Sequence, residues 1–132
     1  MIRAAHLSDL HYAPETLKEV DRCVTAAVDA AIASGVEVAF LTGDATDHRL
    51  DVHSPAFLAL AKQVKRLADH CPVIMLQGTF THEPPGTLTI FGLLGTRHPI
   101  LIADRIGQAA LLSDGTWQTS EDWRFEAVPA DA

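Results

Sequence analysis

The sequence lacks any apolar stretch long enough to cross a membrane. A transmembrane helix needs about 20 consecutive apolar residues, and Asp, Lys or Gly interrupts the longest candidate runs of this 132-residue chain. Residues 1–10 also lack the basic and then apolar pattern of a secretory signal peptide, because Asp9 interrupts their only apolar run. We therefore expect a cytoplasmic protein that has no membrane partner.

Cysteine and basic residues are scarce as well. Cys23 and Cys71 are the only cysteines and form no CxxC or zinc-type spacing, so we expect two buried free thiols. Ten Lys and Arg residues stand against 17 Asp and Glu residues, which gives a formal net charge of −7. This balance argues against a broad basic surface for phosphates, although a bound divalent cation would reverse the field inside a pocket.

The apolar residues that are present alternate between strand and helix patterns. Three short apolar runs are predicted strands: residues 2–8, 36–41 and 72–76. Helical spacing of apolar residues fills the segments between them. This β-α-β-α-β order implies an α/β fold with a parallel, right-handed core. After a short helix in TLTIFGLL, the runs PILIAD, GQAALL and WRFEAVP are predicted short strands of the same single domain, residues 1–132.

The two predicted helices carry start and stop signals. Thr16 and Glu19 have the spacing of a capping box, and Gly35 offers a C-cap for the first helix. Ser54 is a favourable N-cap for the second helix, with Pro55 at its first position. We therefore expect the helices to begin directly after Thr16 and Ser54.

Acidic and imidazole side chains follow each of the three predicted strands. Asp9 and His11 follow the first, Asp44 the second and His82 the third. Ligands of parallel α/β sheets gather beyond the carboxyl ends of the strands, and carboxylate plus imidazole suits Mn, Fe or Zn. Singly, each residue could be a solvated or amide-capping loop residue. Together they favour a metal site with Asp44 between two ions, His82 as a general acid and Asp47 as a residue that orients a ligand.

Three motifs carry a family resemblance: HLSDLH at 6–11, LTGDATD at 41–47 and LQGTFTHEPPG at 76–86. They resemble the D-x-H, G-D and G-N-H-D/E motifs of calcineurin-like metallophosphoesterases, most closely those of the SbcD-type DNA repair nucleases. The resemblance covers about residues 2–83 in motif order. It implies the α/β sandwich of that family, with hydrolysis of a phosphodiester, DNA first among the candidates. It also implies a coiled-coil ATPase as partner.

Carried over by motif, the resemblance assigns Asp9 and His11 to one metal ion, Asp44 to the bridge between two ions and His82 to catalysis. The expected cofactor is a divalent metal, with Mn²⁺ first. Glu83 matches the acidic residue that follows the family's catalytic histidine.

The chain departs from the family in its other ligands. It contains no asparagine, so the family's Asn ligand is missing and Thr81 stands before His82. No histidine follows His98, whereas the family closes its site with later histidines. Two ions would therefore lack about three ligands of a six-coordinate set. We expect at most one tightly bound ion, weak or no activity, and a truncated domain with an uncovered sheet face that invites self-association.

Two alternatives stay open from the sequence. The chain could be a non-catalytic module that binds a partner or a single metal ion, as the missing ligands favour. It could instead be a phosphoesterase for a nucleotide or another small substrate, which the net charge of −7 favours over a DNA-binding enzyme.

Overall fold

The computed structural model describes residues 1–105 and 107–120. Its strands are β1 (Ala4–Leu7), β2 (Val38–Leu41), β3 (Val73–Leu76), β4 (Ile100–Ala103), β5 (Gln108–Leu111) and β6 (Trp117–Ser120). Its helices are α1 (Leu17–Ala33) and α2 (Pro55–His70), with short 3-10 helices at Pro14–Thr16 and Thr89–Leu93. In this described part of the chain, no helix combines the length and the apolar character needed to cross a membrane.

A parallel sheet forms the centre of the fold. Strands β1 to β4 lie in chain order and every neighbouring pair is parallel, while β5 and β6 form a separate antiparallel pair. The predicted α/β class and parallel β-α-β-α-β core are therefore confirmed. The predicted strand in WRFEAVP lies outside the described residues.

Both α-helices lie on the same face of this sheet. Right-handed crossovers that always move to the next strand place their helices on one side. The buried core agrees, because the inward side chains of β2 and β3 cluster with those of α1 and α2. This core includes Val28, Ala39, Leu41, Leu60, Val64, Leu67, Val73 and Met75.

The opposite face of the sheet carries a row of side chains in register. His6 pairs with Phe40, Phe40 with Ile74, and Ile74 with Leu101. His6 is exposed and the other three are half-buried, whereas the helix-facing residues of β2 and β3 are buried. Within residues 1–105 and 107–120, no α-helix packs on this face.

The second helix begins and the first helix ends as predicted. The Ser54 hydroxyl accepts a hydrogen bond of 3.2 Å from the Phe57 amide, with Pro55 at the first helical position. Gly35 has a φ of 66°, and its amide donates to the Ile32 carbonyl at 3.1 Å. The Ser54 N-cap and the Gly35 C-cap therefore mark helix ends in the folded chain, as they do in the sequence.

The predicted capping box of α1 is wrong. Thr16 closes a preceding 3-10 turn, Pro14–Thr16, and its side chain makes no capping hydrogen bond. The Glu19 carboxylate accepts instead from the Arg22 guanidinium, one turn further along the helix, at 3.3 Å from Nε. Because the chain already turns at Pro14, Thr16 lacks the extended conformation that an N-cap needs.

The prediction for the two thiols is half right. Cys71 is 2 % exposed, and burial raises the pKa of its thiol to about 11. Cys23 is exposed, so its predicted burial is wrong. Its neighbour Val24 turns toward the core, and adjacent positions on a helix point about 100° apart.

Candidate metal centre

Two loops at the carboxyl ends of β1 and β2 run side by side. The Asp9 amide donates to the Gly43 carbonyl at 3.0 Å, and the His11 amide donates to the Asp44 carbonyl at 2.9 Å. These bonds extend the parallel pairing of the two strands into their loops. As a result, Asp9 and His11 lie beside Asp44 although about 35 residues separate them in sequence.

The same three residues have an unusual backbone conformation. Asp9, His11 and Asp44 have φ values of 56°, 53° and 52°, and they are the non-glycine residues with positive φ in the described chain. Asp and His tolerate the left-handed region better than most residues, but it still costs roughly 1–2 kcal/mol per residue. Such strain clusters at functional sites because surrounding contacts must maintain it.

Their side chains form one compact group of candidate metal ligands, the first donor group. The His11 Nε2 atom lies 3.6 Å from the Asp9 Oδ1 atom. One ligand atom each from Asp9, His11 and Asp44 lies within 4.8 Å of the other two. The Asp9 side chain is 63 % exposed and that of His11 is 34 % exposed, so solvent can reach the group. Two carboxylates and an imidazole at this spacing could hold one divalent ion.

The loop after β3 supports Asp44 from the other side. The Thr79 amide and hydroxyl donate to the Asp44 Oδ1 atom at 2.8 Å and 3.1 Å. A carboxylate oxygen has two lone pairs and Asp44 has a second oxygen, so these bonds orient the side chain and leave it able to bind an ion.

The close contact between the loops after β2 and β3 requires glycine. A Cβ atom on Gly78 would lie less than 3.0 Å from both the Oδ1 and the amide nitrogen of Asp44. On the other side of the contact, Gly43 has a φ of 111°, and a Cβ atom there would lie 3.2 Å from the Gly78 Cα atom. The two glycines therefore let the loops after β2 and β3 touch backbone to backbone.

Asp47 orients the histidine of the group, as the sequence suggested. The His11 Nδ1 atom lies 3.0 Å from the Asp47 Oδ1 atom. A carboxylate at this distance stabilises the tautomer with the proton on Nδ1. The lone pair of His11 is then on Nε2, which is the nitrogen that faces Asp9.

His82 lies directly against His11. The two rings meet edge to face, with centroids 4.8 Å apart and an angle of 88° between the ring planes. The His82 Nδ1 atom bonds to the backbone carbonyl of Asp47 and lies 3.8 Å from its carboxylate. The Thr46 hydroxyl donates to the His82 carbonyl at 2.8 Å. All four predicted site residues therefore meet at one edge of the sheet.

Glu83 has a structural role that the sequence reasoning missed. It is fully buried, and its carboxylate accepts hydrogen bonds from the Gly78 amide at 2.7 Å and from the Ala45 amide. One side chain thus joins the loop that carries Asp44 to the loop that carries His82. The signal in the sequence was an acidic residue directly before Pro84 and Pro85 in the loop that follows β3.

No protein-family model matches the sequence, and no curated protein matches it.

Proposed function

We propose that the chain provides the metal-binding half of a calcineurin-like phosphoesterase site and acts on a phosphodiester. The observation that supports this proposal is the Asp9–His11–Asp44 group, whose three residues share a strained backbone conformation and lie within ligand distance of one another. Left-handed backbone at three candidate ligands, maintained by contacts between two loops, favours a functional constraint.

The donor set fits a divalent transition metal. Two carboxylates and one imidazole match the preferences of Mn²⁺ and Fe²⁺ better than those of Ca²⁺, which prefers oxygen alone. The Asp47 carboxylate holds His11 in the tautomer that a metal ligand requires. A bound divalent ion supplies a Lewis acid for the phosphoryl oxygen of the substrate.

In this proposal each residue of the site has a separate role. Asp9, His11 and Asp44 hold the ion, and Thr79 fixes the orientation of Asp44. The Nδ1 bond of His82 to the Asp47 carbonyl fixes the imidazole and leaves Nε2 to exchange a proton. As an imidazolium, His82 donates its Nε2 proton to the leaving oxygen of the phosphodiester and becomes a neutral imidazole that keeps its proton on Nδ1, which is general acid catalysis.

The chain itself supplies ligands for one tightly held ion. It has no asparagine and no histidine beyond His98, so the second ion of the resembled family lacks its ligands. We therefore infer weak turnover for this chain. The resemblance to SbcD-type nucleases favours a DNA substrate, whereas the net charge of −7 favours a small phosphodiester or nucleotide.

Mn²⁺ binding and hydrolysis of a chromogenic phosphodiester test the proposal together. Electron paramagnetic resonance of free Mn²⁺ should show one tight site, which Asp44→Asn weakens by roughly 10-fold or more. Asp104→Asn is the matched control, because it removes the same charge from an exposed residue that pairs with Arg105. Hydrolysis by the wild type should be slow but dependent on Mn²⁺.

Two results would contradict this proposal in different ways. Rapid Mn²⁺-dependent turnover that Asp44→Asn abolishes would refute the inference of an incomplete site. Absence of Mn²⁺ binding, together with an unchanged melting temperature, would favour the alternative of a non-catalytic module.

A further inference from the structure

A second donor group lies next to the first one. One ligand atom each from His11, Asp47 and His82 lies within 4.8 Å of the other two. The Asp47 Oδ1 atom is 3.0 Å from His11 Nδ1 and 3.8 Å from His82 Nδ1. Ligands about 2.0–2.1 Å from a tetrahedral Zn²⁺ ion lie about 3.3 Å apart, so both separations are within about 0.5 Å of the spacing of ligands on one such ion.

The two groups differ in chemistry. The Asp9–His11–Asp44 group has two oxygen donors and one nitrogen donor, whereas the His11–Asp47–His82 group has two nitrogens and one oxygen. Imidazole suits Zn²⁺, and a carboxylate-rich set suits Mn²⁺. Two imidazoles and one carboxylate with an open fourth position are also an established ligand set for Zn²⁺. The second group should therefore favour Zn²⁺ over Mn²⁺ more strongly than the first group does.

His11 belongs to both groups and can serve only one of them. It faces Asp47 with Nδ1 and Asp9 with Nε2. A neutral imidazole carries a proton on one ring nitrogen and a lone pair on the other. Binding through Nε2 leaves the Nδ1 proton bonded to Asp47, whereas binding through Nδ1 moves the proton to Nε2. Occupation of one group therefore excludes His11 from the other.

We propose that His11, Asp47 and His82 form an inhibitory site for Zn²⁺ that competes with Mn²⁺ at the Asp9–His11–Asp44 group. At this site His82 exchanges its bond to the Asp47 carbonyl for a bond to the ion. Zn²⁺ then removes one ligand from the first group and blocks the residue assigned as general acid. The inhibition rests on the proposed function, but Zn²⁺ binding does not.

Matched variants separate the two groups in direct binding measurements. Zn²⁺ affinity is measured against a chromophoric chelator, and Mn²⁺ affinity by electron paramagnetic resonance. His82→Gln should weaken Zn²⁺ binding by roughly 10-fold or more and leave Mn²⁺ binding within about 2-fold, whereas Asp9→Asn should do the reverse. His53→Gln is the control, since His53 is an exposed histidine outside both groups.

Competition gives the second measurement. In the wild type, Zn²⁺ should release bound Mn²⁺ and restore its free signal, and in His82→Gln the same Zn²⁺ concentration should release much less. Circular dichroism melting of each variant checks that the fold is retained.

Other outcomes decide between the two proposals. Equal loss of Zn²⁺ binding in Asp9→Asn and His82→Gln, or none in His82→Gln, would overturn the second site. If the wild type binds Zn²⁺ in a His82-dependent way but never binds Mn²⁺, the second site stands and the proposed phosphoesterase function fails.

Discussion

Replacement of Gly78 by alanine should distort the candidate metal centre without replacing any of its candidate ligands. The new methyl group would lie less than 3.0 Å from the Asp44 side chain and from its amide nitrogen. Because one of these atoms is backbone, rotation of a side chain cannot relieve the clash. The two loops must separate by about 1 Å to reach ordinary van der Waals distance. Such overpacking costs about 1–3 kcal/mol of folding free energy.

A shift of this size is large for a metal site. Ligand distances in such sites hold to about ±0.2 Å, so Gly78→Ala should lower Mn²⁺ affinity by roughly 10–100-fold, as loss of supporting contacts does elsewhere. Gly95→Ala is the matched control, because a Cβ atom there meets nothing within 4 Å. Denaturant unfolding and Mn²⁺ titration measure the two effects. Unchanged Mn²⁺ affinity in folded Gly78→Ala would show that Asp44 is not a ligand.

Three further experiments test the residues that support the site and the accessibility of the two thiols. Glu83→Gln should lower the free energy of unfolding by about 1–3 kcal/mol in urea denaturation, because the Gln oxygen can accept only one of the two backbone N–H bonds and the NH₂ group cannot accept the other; an unchanged midpoint would refute this. In urea denaturation, Asp9→Gly should have a free energy of unfolding up to about 1 kcal/mol higher than that of Asp9→Ala, because the left-handed backbone disfavours a Cβ atom. The opposite order would contradict the positive φ. At pH 8 a disulfide reagent should label Cys23 rapidly and Cys71 only after denaturation, because Cys71 is buried and its thiol pKa is raised to about 11; equal rates would contradict this burial.

The parallel core was predictable because local and global signals agree along its first 76 residues. Three short apolar runs separated by two helical patterns are compatible with few topologies. The N-cap at Ser54 also marks the start of the second helix. The capping box at Thr16 failed because Pro14 starts a turn two residues earlier. The helix still begins at Leu17, directly after Thr16 as predicted, so the pattern located the helix start but not the hydrogen bonds around it.

The proximity of the four candidate residues and the contact of Asp47 with His11 were predictable, but the buried contacts of Glu83 were not. Asp9, His11, Asp44 and His82 follow strand ends, and parallel strands bring their ends together. Burial of Glu83 depends on which backbone amides two distant loops present to it. Such contacts depend on how closely the two loops lie in the folded chain. The spacing of residues in the sequence does not predict that distance.

The half-buried face of the sheet opposite the helices leads to a quantitative expectation about self-association. Four strands about 4.8 Å apart, each of four residues at about 3.3 Å, give a face of roughly 250 Å². A stable dimer buries about 800 Å² on each partner. The apolar row through Phe40, Ile74 and Leu101 can therefore support only a weak dimer, seen at high protein concentration. Leu76, 44 % exposed at the end of β3, is the position at which to disrupt it.

Sedimentation equilibrium over a wide concentration range measures this association. Leu76→Lys places a charge on the face and should shift the chain toward monomer. Leu58→Lys is the control, because Leu58 is 57 % exposed on α2, on the helix side of the sheet. Equal effects of the two substitutions would mean that association does not use this face. A wild type that stays monomeric at the highest concentration would contradict the expected weak dimer.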